Sequence, residues 1–302
     1  MIELRNVTKR FGTRTAVNDV SLTVNRGEIF GLLGHNGAGK STAIGMMLGQ
    51  VWPTGGSVKV CGHEVAAQRR LALSKVGAIF EAPAFYDYLS GRRNLEILST
   101  YTGPTPAARI REVIEWVGLT GREGSKVRTY SHGMRSRLAL AQALLPGPEL
   151  LILDEPGDGL DPEGIHELRR TILRLQRELG LTILLSSHLL NEVDQLCTRI
   201  AVLQQGSKVF EGSMAEVKAV QGRVALKTPD FAAATALLRQ QGLIAGADEG
   251  GFLTLAEGRS TGEVTRALVS AGIAVEGIWQ REQTVEDLYL SLVKPPLVPT
   301  KN

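Results

Sequence analysis

The start of the chain has the hydrophobic pattern of short strands separated by turns. Residues 2–7 alternate between apolar and polar side chains, and residues 16–24 and 57–60 have a similar character. Between them, an apolar run at 28–33 stops at a glycine and precedes a stretch of helical character from Lys40. The pattern therefore predicts a strand-rich region that contains one unit of strand, glycine-rich turn and helix.

The pattern changes twice further along the chain. After a short strand at 77–80, the spacing of apolar residues predicts a helical region at about 83–148. Its helices are expected at 95–101, 107–117 and 131–145. Strands and helices then alternate in the order 150–153, 162–179, 182–185 and 189–196, followed by a strand pair at 199–203 and 208–210. Continuous apolar strands separated by helices indicate an α/β fold with a parallel sheet that is buried on both faces.

We place a domain boundary near residue 220, which divides the chain into 1–220 and 221–302. The second part has the order strand, helix, strand, strand, helix, strand and ends in a further helix. These elements are predicted at 224–227, 231–240, 243–245, 252–256, 262–270, 273–278 and 285–293. The order is typical of a small α+β unit with a ferredoxin-like fold.

Composition narrows the function classes. Hydrophobic residues make up 43% and charged residues 22% of the 302 residues, which supports a sizeable core and argues against intrinsic disorder. The combination of 34 glycines with only 5% aromatic residues is typical of nucleotide-binding α/β folds. The net charge of +3 is too small to indicate a nucleic-acid partner, and we expect none.

Cysteine use and hydropathy indicate the compartment. Cys61 and Cys197 are far apart and form no CxxC pair, so we expect no disulfide framework and no cysteine metal site, as in a reducing cytoplasm. The first residues lack the apolar segment of a signal peptide. No run reaches the roughly 20 apolar residues that a membrane span needs. We therefore expect neither a secreted nor an integral membrane protein.

Residues 34–41, Gly-His-Asn-Gly-Ala-Gly-Lys-Ser, match the phosphate-loop pattern G-x-x-x-x-G-K-[ST]. Glycines let backbone N–H groups converge on phosphate oxygens, and the helix that follows favours an anion at its N-terminus. We expect Lys40 to reach the β- and γ-phosphates and the Ser41 hydroxyl to bind Mg²⁺. The predicted nucleotide-binding residues of this segment are Gly34, His35, Asn36, Gly37, Ala38, Gly39, Lys40, Ser41 and Thr42. The alternative, a glycine-rich turn without a ligand, leaves the strand before the loop and the helix after it unexplained.

Two acidic residues follow the apolar strand at 150–153. Ligand sites of α/β folds lie at the carboxyl ends of such strands, so we expect Asp154 to hold Mg²⁺ through a water. Glu155 points to the opposite side and is expected to polarise the attacking water as general base. The alternative is a strand that ends in solvated acids and a proline, and the phosphate loop upstream makes this the weaker interpretation.

Residues 130–138, Tyr-Ser-His-Gly-Met-Arg-Ser-Arg-Leu, lie before that acidic strand and open a helix. The segment resembles the signature of the nucleotide-binding subunits of ABC transporters, typically LSGGQ followed by a basic residue. Ser131 and the flexible Gly133 at a helix N-terminus form a second anion site. His132 stands where the family has its first signature glycine, and Met134 where it has glutamine. This YSxGM form resembles the branch that exports peptide antibiotics and drugs of the bacitracin, lantibiotic and daunorubicin type.

The resemblance covers about residues 1–220 and implies a P-loop ABC ATPase fold. Its parts are a parallel-sheet core, an N-terminal antiparallel β subdomain and an α-helical subdomain. The ferredoxin-like unit resembles the C-terminal accessory extension of such exporters. In the family, two subunits pack head to tail, with ATP between the phosphate loop of one and the signature of the other. The resemblance therefore implies a homodimer in which Ser131, His132, Gly133 and Met134 face the ATP of the second copy.

Further site residues are implied by individual family motifs. Phe11 matches the aromatic residue that stacks on adenine, with Val17 beside it, and the alternative is an ordinary core phenylalanine. His188, after the strand at 182–185, matches the switch histidine that contacts the γ-phosphate, and the alternative is a structural histidine. Asp161 matches the last residue of the Gly-Leu-Asp motif of the D-loop, which links the paired sites.

The segment after the strand at 77–80 departs from the family. Glu81 stands where most members carry glutamine, and since a carboxylate oxygen ligates Mg²⁺ as an amide oxygen does, we expect Ser41, Glu81 and Asp154 to bind the metal. The aromatic stretch 85–89 lies in the region that receives the coupling helix of the membrane permease, which implies a contact near residues 81–95. The alternative, that these rings pack within the helical subdomain, stays equally open.

The motifs and the resemblance imply an ATP-hydrolysing motor subunit of an ABC exporter that uses ATP and Mg²⁺, with Lys40, Glu155 and His188 as catalytic residues. We expect it in the cytoplasm, at the inner face of the cell membrane, with a separately encoded permease. One alternative is a nucleotide-gated binding module with weak ATPase activity, suggested by the departures at Glu81 and in the signature. Another is a soluble ABC ATPase acting on ribosomes or DNA, but such proteins usually carry two cassettes or a long coiled-coil insertion.

Overall fold

The computed structural model describes residues 1–80, 84–101, 103, 105–218, 223–248, 250–280 and 284–293. The chain divides into two compact units, of which the first consists mainly of Met1–Met214 and the second of Ala215–Ser291. The boundary predicted near residue 220 falls outside the described residues and stays a prediction. Within the described ranges, no helix combines the length and the apolar composition needed to cross a lipid bilayer.

The elements follow the order that the hydrophobic pattern predicts for most of the chain. The strands are β1 (Ile2–Phe11), β2 (Arg14–Val24), β3 (Ile29–Leu33), β4 (Gly55–Val60), β5 (His63–Glu64), β6 (Val76–Ile79), β7 (Leu150–Leu153), β8 (Thr182–Ser187), β9 (Arg199–Gln204), β10 (Ser207–Ser213), β11 (Arg223–Lys227), β12 (Ile244–Ala247), β13 (Phe252–Leu255) and β14 (Gly277–Gln280). The helices are α1 (Lys40–Met47), α2 (Val65–Leu73), α3 (Gly91–Ser99), α4 (Ala107–Trp116), α5 (His132–Leu144), α6 (Pro162–Leu179), α7 (Leu190–Leu196), α8 (Met214–Lys218), α9 (Phe231–Gln240), α10 (Thr261–Ser270) and α11 (Val285–Val293). Helix α2 was not predicted, because it buries only Val65 and Ala72 and so lacks an extended apolar stripe.

The N-terminal sheet is antiparallel and has the strand order β2-β1-β4-β5. In β1, Ile2 and Leu4 are buried, whereas Glu3 between them is half-buried and Arg5 is exposed. This alternation places one face of the sheet on the core and the other in solvent. The antiparallel β subdomain expected from the sequence is confirmed.

The core sheet has six strands in the order β10-β9-β3-β8-β7-β6. Its neighbouring strands are parallel except for β9 and β10. Every residue of β3, β7 and β8 is buried, as expected for strands that are covered on both faces. Since these three strands are parallel, their carboxyl ends lie at one edge of the sheet. At this edge, β3 is followed by the phosphate loop, β7 by Asp154 and β8 by His188. The predicted α/β fold with a buried parallel sheet is confirmed.

The second unit has the element order β11-α9-β12-β13-α10-β14 and an antiparallel sheet in the order β12-β13-β11-β14. Its core includes Leu226, Leu238, Leu253 and Leu268. This is the predicted ferredoxin-like arrangement. The last strand was predicted at 273–278 but lies at Gly277–Gln280, because Ile273 and its neighbours form the turn after α10 and pack on the core without pairing in the sheet.

Gly77, in β6, allows close approach of α5 to the core sheet. A Cβ atom at this position would lie 2.1 Å from the carbonyl oxygen of Ala143, so Gly77→Ala must push strand and helix apart. We expect this variant to lower the free energy of unfolding by about 1–3 kcal/mol, as overpacking does, measured by urea denaturation. Gly55→Ala is the matched control, because a Cβ on that strand residue meets no atom within 4 Å. Equal losses in both variants would contradict the steric explanation.

Candidate functional site

The phosphate loop joins β3 to α1 and requires its glycines. Gly34 and Gly39 have φ angles of 157° and 108°, and a Cβ on either would lie 2.6 Å from a backbone carbonyl oxygen, that of Leu203 or of Ala16. No side chain caps the N-terminus of α1, so the first N–H groups of this helix are available to an anion. The exposed tip of the loop is His35-Asn36-Gly37, and Ser41 is exposed beside it, whereas Ala38 is buried and Thr42 is half-buried.

Lys40 is a buried cation inside this loop. Its side chain is only 4% exposed, and its ammonium donates to the carbonyl oxygen of Gly34 at 2.7 Å. The same ammonium lies 3.0 Å from Glu155 Oε1. A buried ammonium is tolerated only where it is paired, so the carboxylate and the loop carbonyl together hold this charge at the phosphate loop.

Ser186 connects the two acidic residues that follow β7. Its hydroxyl donates to Asp154 Oδ1 at 2.5 Å and accepts from the backbone N–H of Glu155 at 2.8 Å. Ser186 is fully buried in β8, the strand next to β7. Sequence reasoning missed it, because a serine within an apolar strand carries no signal until the pairing of β7 with β8 is known.

Glu155 lies between two basic side chains. Lys40 approaches Oε1, and Nδ1 of His188, which follows β8, donates to Oε2. Burial raises the pKa of the Glu155 carboxyl, but the hydrogen bonds from Lys40 and His188 outweigh burial and lower its pKa below the ordinary value. The three predicted catalytic residues are thus brought together, and Glu155 is held as a carboxylate.

A cavity of about 400 Å³ opens beside these residues. Ser41, Asp154 and Glu155 line it, together with His132 and Ser136 from α5. A somewhat larger cavity of about 500 Å³ between α4 and α6 contains none of the predicted site residues, so size does not identify the site. Glu81, the third predicted metal ligand, lies outside the described residues.

The signature segment forms the start of α5 and faces the segment that follows Glu155. Ser131 caps α5 by accepting from the N–H of Met134 at 3.2 Å, and Asp161 caps α6 by accepting from the N–H of Gly164 at 2.9 Å. Ser131, Gly133 and Asp161 line a second cavity of about 330 Å³. Within one chain, Ser131 and Gly133 therefore do not line the cavity of Asp154 and Glu155.

The two residues predicted at the adenine differ in exposure. The Phe11 ring, at the end of β1, is 51% exposed and lies under the Lys9 ammonium, 4.8 Å from the ring centroid. It is therefore not an ordinary core phenylalanine. Val17 is fully buried in β2, beneath Gly39 of the phosphate loop. The guanidinium of Arg14, which was not predicted from the sequence, lies close to the phosphate loop. A Cβ atom built on Gly37 would be 3.8 Å from Arg14 Nη2.

Comparison with known proteins agrees with this geometry. The ABC transporter family model matches residues 17–158. The chain is 37% identical over 296 residues to the bacitracin transport ATP-binding protein BcrA of Enterococcus faecalis, covering 97% of this chain and 96% of the relative. The protein of the same name from Bacillus licheniformis is 35% identical, with 97% of each chain covered. This chain belongs to the ABC transporter ATP-binding family.

Solved structures of ABC cassettes have the same fold. The structure of cbiO1 from Clostridium perfringens, part of the ABC transporter complex cbiONQ, superimposes with a TM-score of 0.67 at 25% identity and covers 72% of this chain and 90% of its own. A bacterial ABC transporter cassette solved as a dimer gives 0.64 at 25% identity over 71% of this chain and 99% of its own. This ABC cassette therefore binds ATP and hydrolyses it in a reaction coupled to transport, and cassettes of its family dimerise and partner with membrane permeases.

An exposed aromatic patch of the cassette, residues 85–89, precedes α3. Tyr86 is 42% and Tyr88 is 66% exposed, and their rings meet edge to face with centroids 6.1 Å apart. Between them, Asp87 Oδ1 lies 2.9 Å from the guanidinium of Arg135 in α5. The two tyrosine rings thus do not pack inside the helical subdomain, and an ion pair connects their segment to the signature helix.

We expect Ser186→Ala to lower the kcat of ATP hydrolysis about tenfold, because Asp154 and Glu155 lose the hydroxyl that sets their positions. Thr182→Ala is the matched control. The Thr182 hydroxyl is also fully buried in β8, but it lies at the other end of the strand and accepts from the N–H of Gly27 at 2.8 Å, so kcat should stay within about twofold of the unaltered protein. Steady-state phosphate release measures both. Indistinguishable rates for the two variants would remove Ser186 from the site.

Proposed function

We propose that this chain is the motor subunit of an ABC exporter, in which two copies close around two Mg-ATP molecules and drive a separately encoded permease at the inner face of the cell membrane. The observation that carries the proposal is the meeting of Lys40, Glu155 and His188 beside the phosphate loop. An ionised carboxylate between an ammonium and an imidazole, at a loop built for phosphate, suits the attack of water on a γ-phosphate.

Glu155 is the proposed general base. In the nucleotide-free chain, its lowered pKa keeps it ionised, and loss of the Lys40 contact then raises its affinity for the proton of the attacking water. The Lys40 ammonium, paired with Glu155 in this structure, would turn to the phosphates when ATP enters the loop, which frees Oε1 for the water. His188 keeps its place on Oε2 and orients the carboxylate towards the γ-phosphate.

Mg²⁺ fits the oxygen donors of this site. The Ser41 hydroxyl and the Asp154 carboxylate line one cavity, and both are oxygen ligands of the kind that Mg²⁺ prefers. Among the described residues there is no cluster of three acidic or imidazole ligands. A magnesium ion held mainly by nucleotide phosphates and water needs only one or two protein oxygens. Once bound, Mg²⁺ neutralises developing phosphate charge, and Glu81 is proposed as its further ligand.

A second copy of the chain is needed to complete the site. Ser131 and Gly133 line a cavity of their own, away from Asp154 and Glu155. A signature at a helix N-terminus can therefore meet a γ-phosphate only if that phosphate belongs to another copy. We assign the adenine to Phe11, whose exposed ring offers a stacking face, with Val17 supporting the loop from the core.

The permease is proposed to dock near residues 81–95. The exposed tyrosines in this range offer an aromatic surface beside the ion pair of Asp87 with Arg135. Aromatic rings at a surface are typical anchors of protein interfaces. Export, as opposed to uptake, is proposed because relatives with 35–37% identity over nearly the whole chain are named bacitracin transport ATP-binding proteins.

Glu155→Gln tests the proposed function. We expect ATP binding to persist, because the phosphate loop is unchanged, while kcat falls at least about 100-fold with loss of the base, measured by phosphate release. The ATP-bound dimer should accumulate on size-exclusion chromatography. Glu178→Gln, at an exposed glutamate of α6, is the control. Unchanged hydrolysis in Glu155→Gln would disprove the role of Glu155. A different outcome, near-background ATP turnover of the unaltered subunit in the presence of its permease, would favour the nucleotide-gated binding module.

The docking surface is tested with Tyr86→Ala and Tyr88→Ala combined. We expect the permease that co-purifies with the unaltered subunit from detergent extract to be retained at least about tenfold less, as when aromatic anchors are removed from an interface. Tyr101→Ala is the matched control, because Tyr101 is 80% exposed but lies outside residues 81–95. Equal recovery of the permease with both variants would move the docking surface elsewhere.

A further inference from the structure

His132 replaces the first glycine of the family signature with a large side chain, and this side chain contacts its own chain. It is the first residue of α5, and its Nε2 lies 3.2 Å from the carbonyl oxygen of Asp158. A carbonyl oxygen can only accept, so Nε2 is the donor. The N–H of Asp158 in turn donates to the carbonyl oxygen of Glu155 at 3.1 Å. Two hydrogen bonds therefore connect the signature imidazole to the backbone of the catalytic carboxylate.

Gly159 extends this contact. Its φ of 70° lies in the left-handed region that favours glycine, and a Cβ there would lie 3.2 Å from His132 Nε2 and 3.5 Å from Cε1. The imidazole thus packs directly on the bare backbone of Gly159. A glycine at position 132 could make neither the hydrogen bond nor this packing contact.

His132 also belongs to both cavities of the site. It lines the cavity that contains Asp154 and Glu155, and it lines the cavity that contains Ser131 and Gly133. The imidazole therefore separates two cavities: the one beside the chain's own catalytic residues, and the one at the signature that is proposed to face a second copy. A movement of residues 156–161 would therefore change the contacts of this ring.

We propose that His132 is a positioning residue for its own chain: it fixes the position of residues 156–161, and through them of Glu155, relative to the signature. The proposal rests on the proposed dimer. It adds a role within the same copy (in cis) to the expected role at the ATP of the second copy (in trans). In such a dimer, one His132 faces the ATP on the second copy's phosphate loop while its ring steadies the segment beside the first copy's Glu155.

Mixed dimers separate the role in cis from the role in trans. Two copies with different affinity tags are combined, and one of them carries Glu155→Gln, so that only the other copy's phosphate loop hydrolyses ATP. His132→Leu is then placed either in the hydrolysing copy or in the Glu155→Gln copy, whose signature completes the active site. A purely signature role predicts an effect only when the substitution is in the Glu155→Gln copy.

We expect His132→Leu in the hydrolysing copy to lower kcat about two- to tenfold, the range that loss of one neutral hydrogen bond gives, with KM for ATP unchanged. His132→Gln in the same copy should restore most of the rate, since its amide N–H can donate to the Asp158 carbonyl. His166→Leu, at an exposed histidine of α6, is the control. Hydrogen exchange of residues 156–161 in the ATP-free subunit should be faster with His132→Leu than with His132→Gln.

An unchanged kcat with His132→Leu in the hydrolysing copy overturns the proposal. Equal losses with leucine and glutamine, or equal hydrogen exchange in the two variants, overturn the hydrogen bond as its basis. Failure of a tagged dimer of two unaltered copies to hydrolyse ATP is a different result, because it removes the proposed function and this inference with it.

Discussion

The site depends on the parallel pairing of β3, β8 and β7 in the core sheet. Parallel strands end at the same edge, so this one constraint delivers Lys40, His188 and Glu155 to one place although they are far apart along the chain. Every residue of these strands is buried, and the hydrophobic burial that stabilises the sheet therefore also sets the positions of the charged groups at its edge.

The charges at that edge balance one another without a nucleotide. The buried ammonium of Lys40 would be costly alone, and Glu155 satisfies it while His188 satisfies the other carboxylate oxygen. A phosphate that enters the loop offers the ammonium a more highly charged partner. In the proposed mechanism, the exchange of partners that binds the nucleotide also releases the carboxylate that is proposed to activate water.

Helix α5 connects the surfaces of the cassette. Its first residues form the signature, His132 contacts the segment behind Glu155, and Arg135 pairs with Asp87 in the aromatic patch. Its other side packs on β6 through the close approach at Gly77. A permease that docks on the patch, as proposed, would therefore act on the same helix that is proposed to meet the ATP of a second copy, without contacting the phosphate loop.

Local patterns in the sequence determined much of the fold and the loop chemistry. The buried strands, the phosphate loop, the acidic pair and the signature were all readable, because each depends on residues within a few positions of one another. The last strand of the second unit was predicted to begin about four residues too early, because Ile273 is apolar and packs on the core without pairing in the sheet. Helix α2 was missed because only two of its residues are buried.

The tertiary structure alone decided how these pieces act together. The bond of Ser186 to Asp154 spans 32 residues and that of His132 to Asp158 spans 26, and no short-range pattern encodes either. Exposure is equally non-local: only the packed chain shows that Phe11 offers its ring to solvent while Val17 is in the core. The sequence determined which chemical groups this ATPase carries, and the parallel sheet decided which of them meet, because contact between distant residues depends on how strands pair and helices cover them.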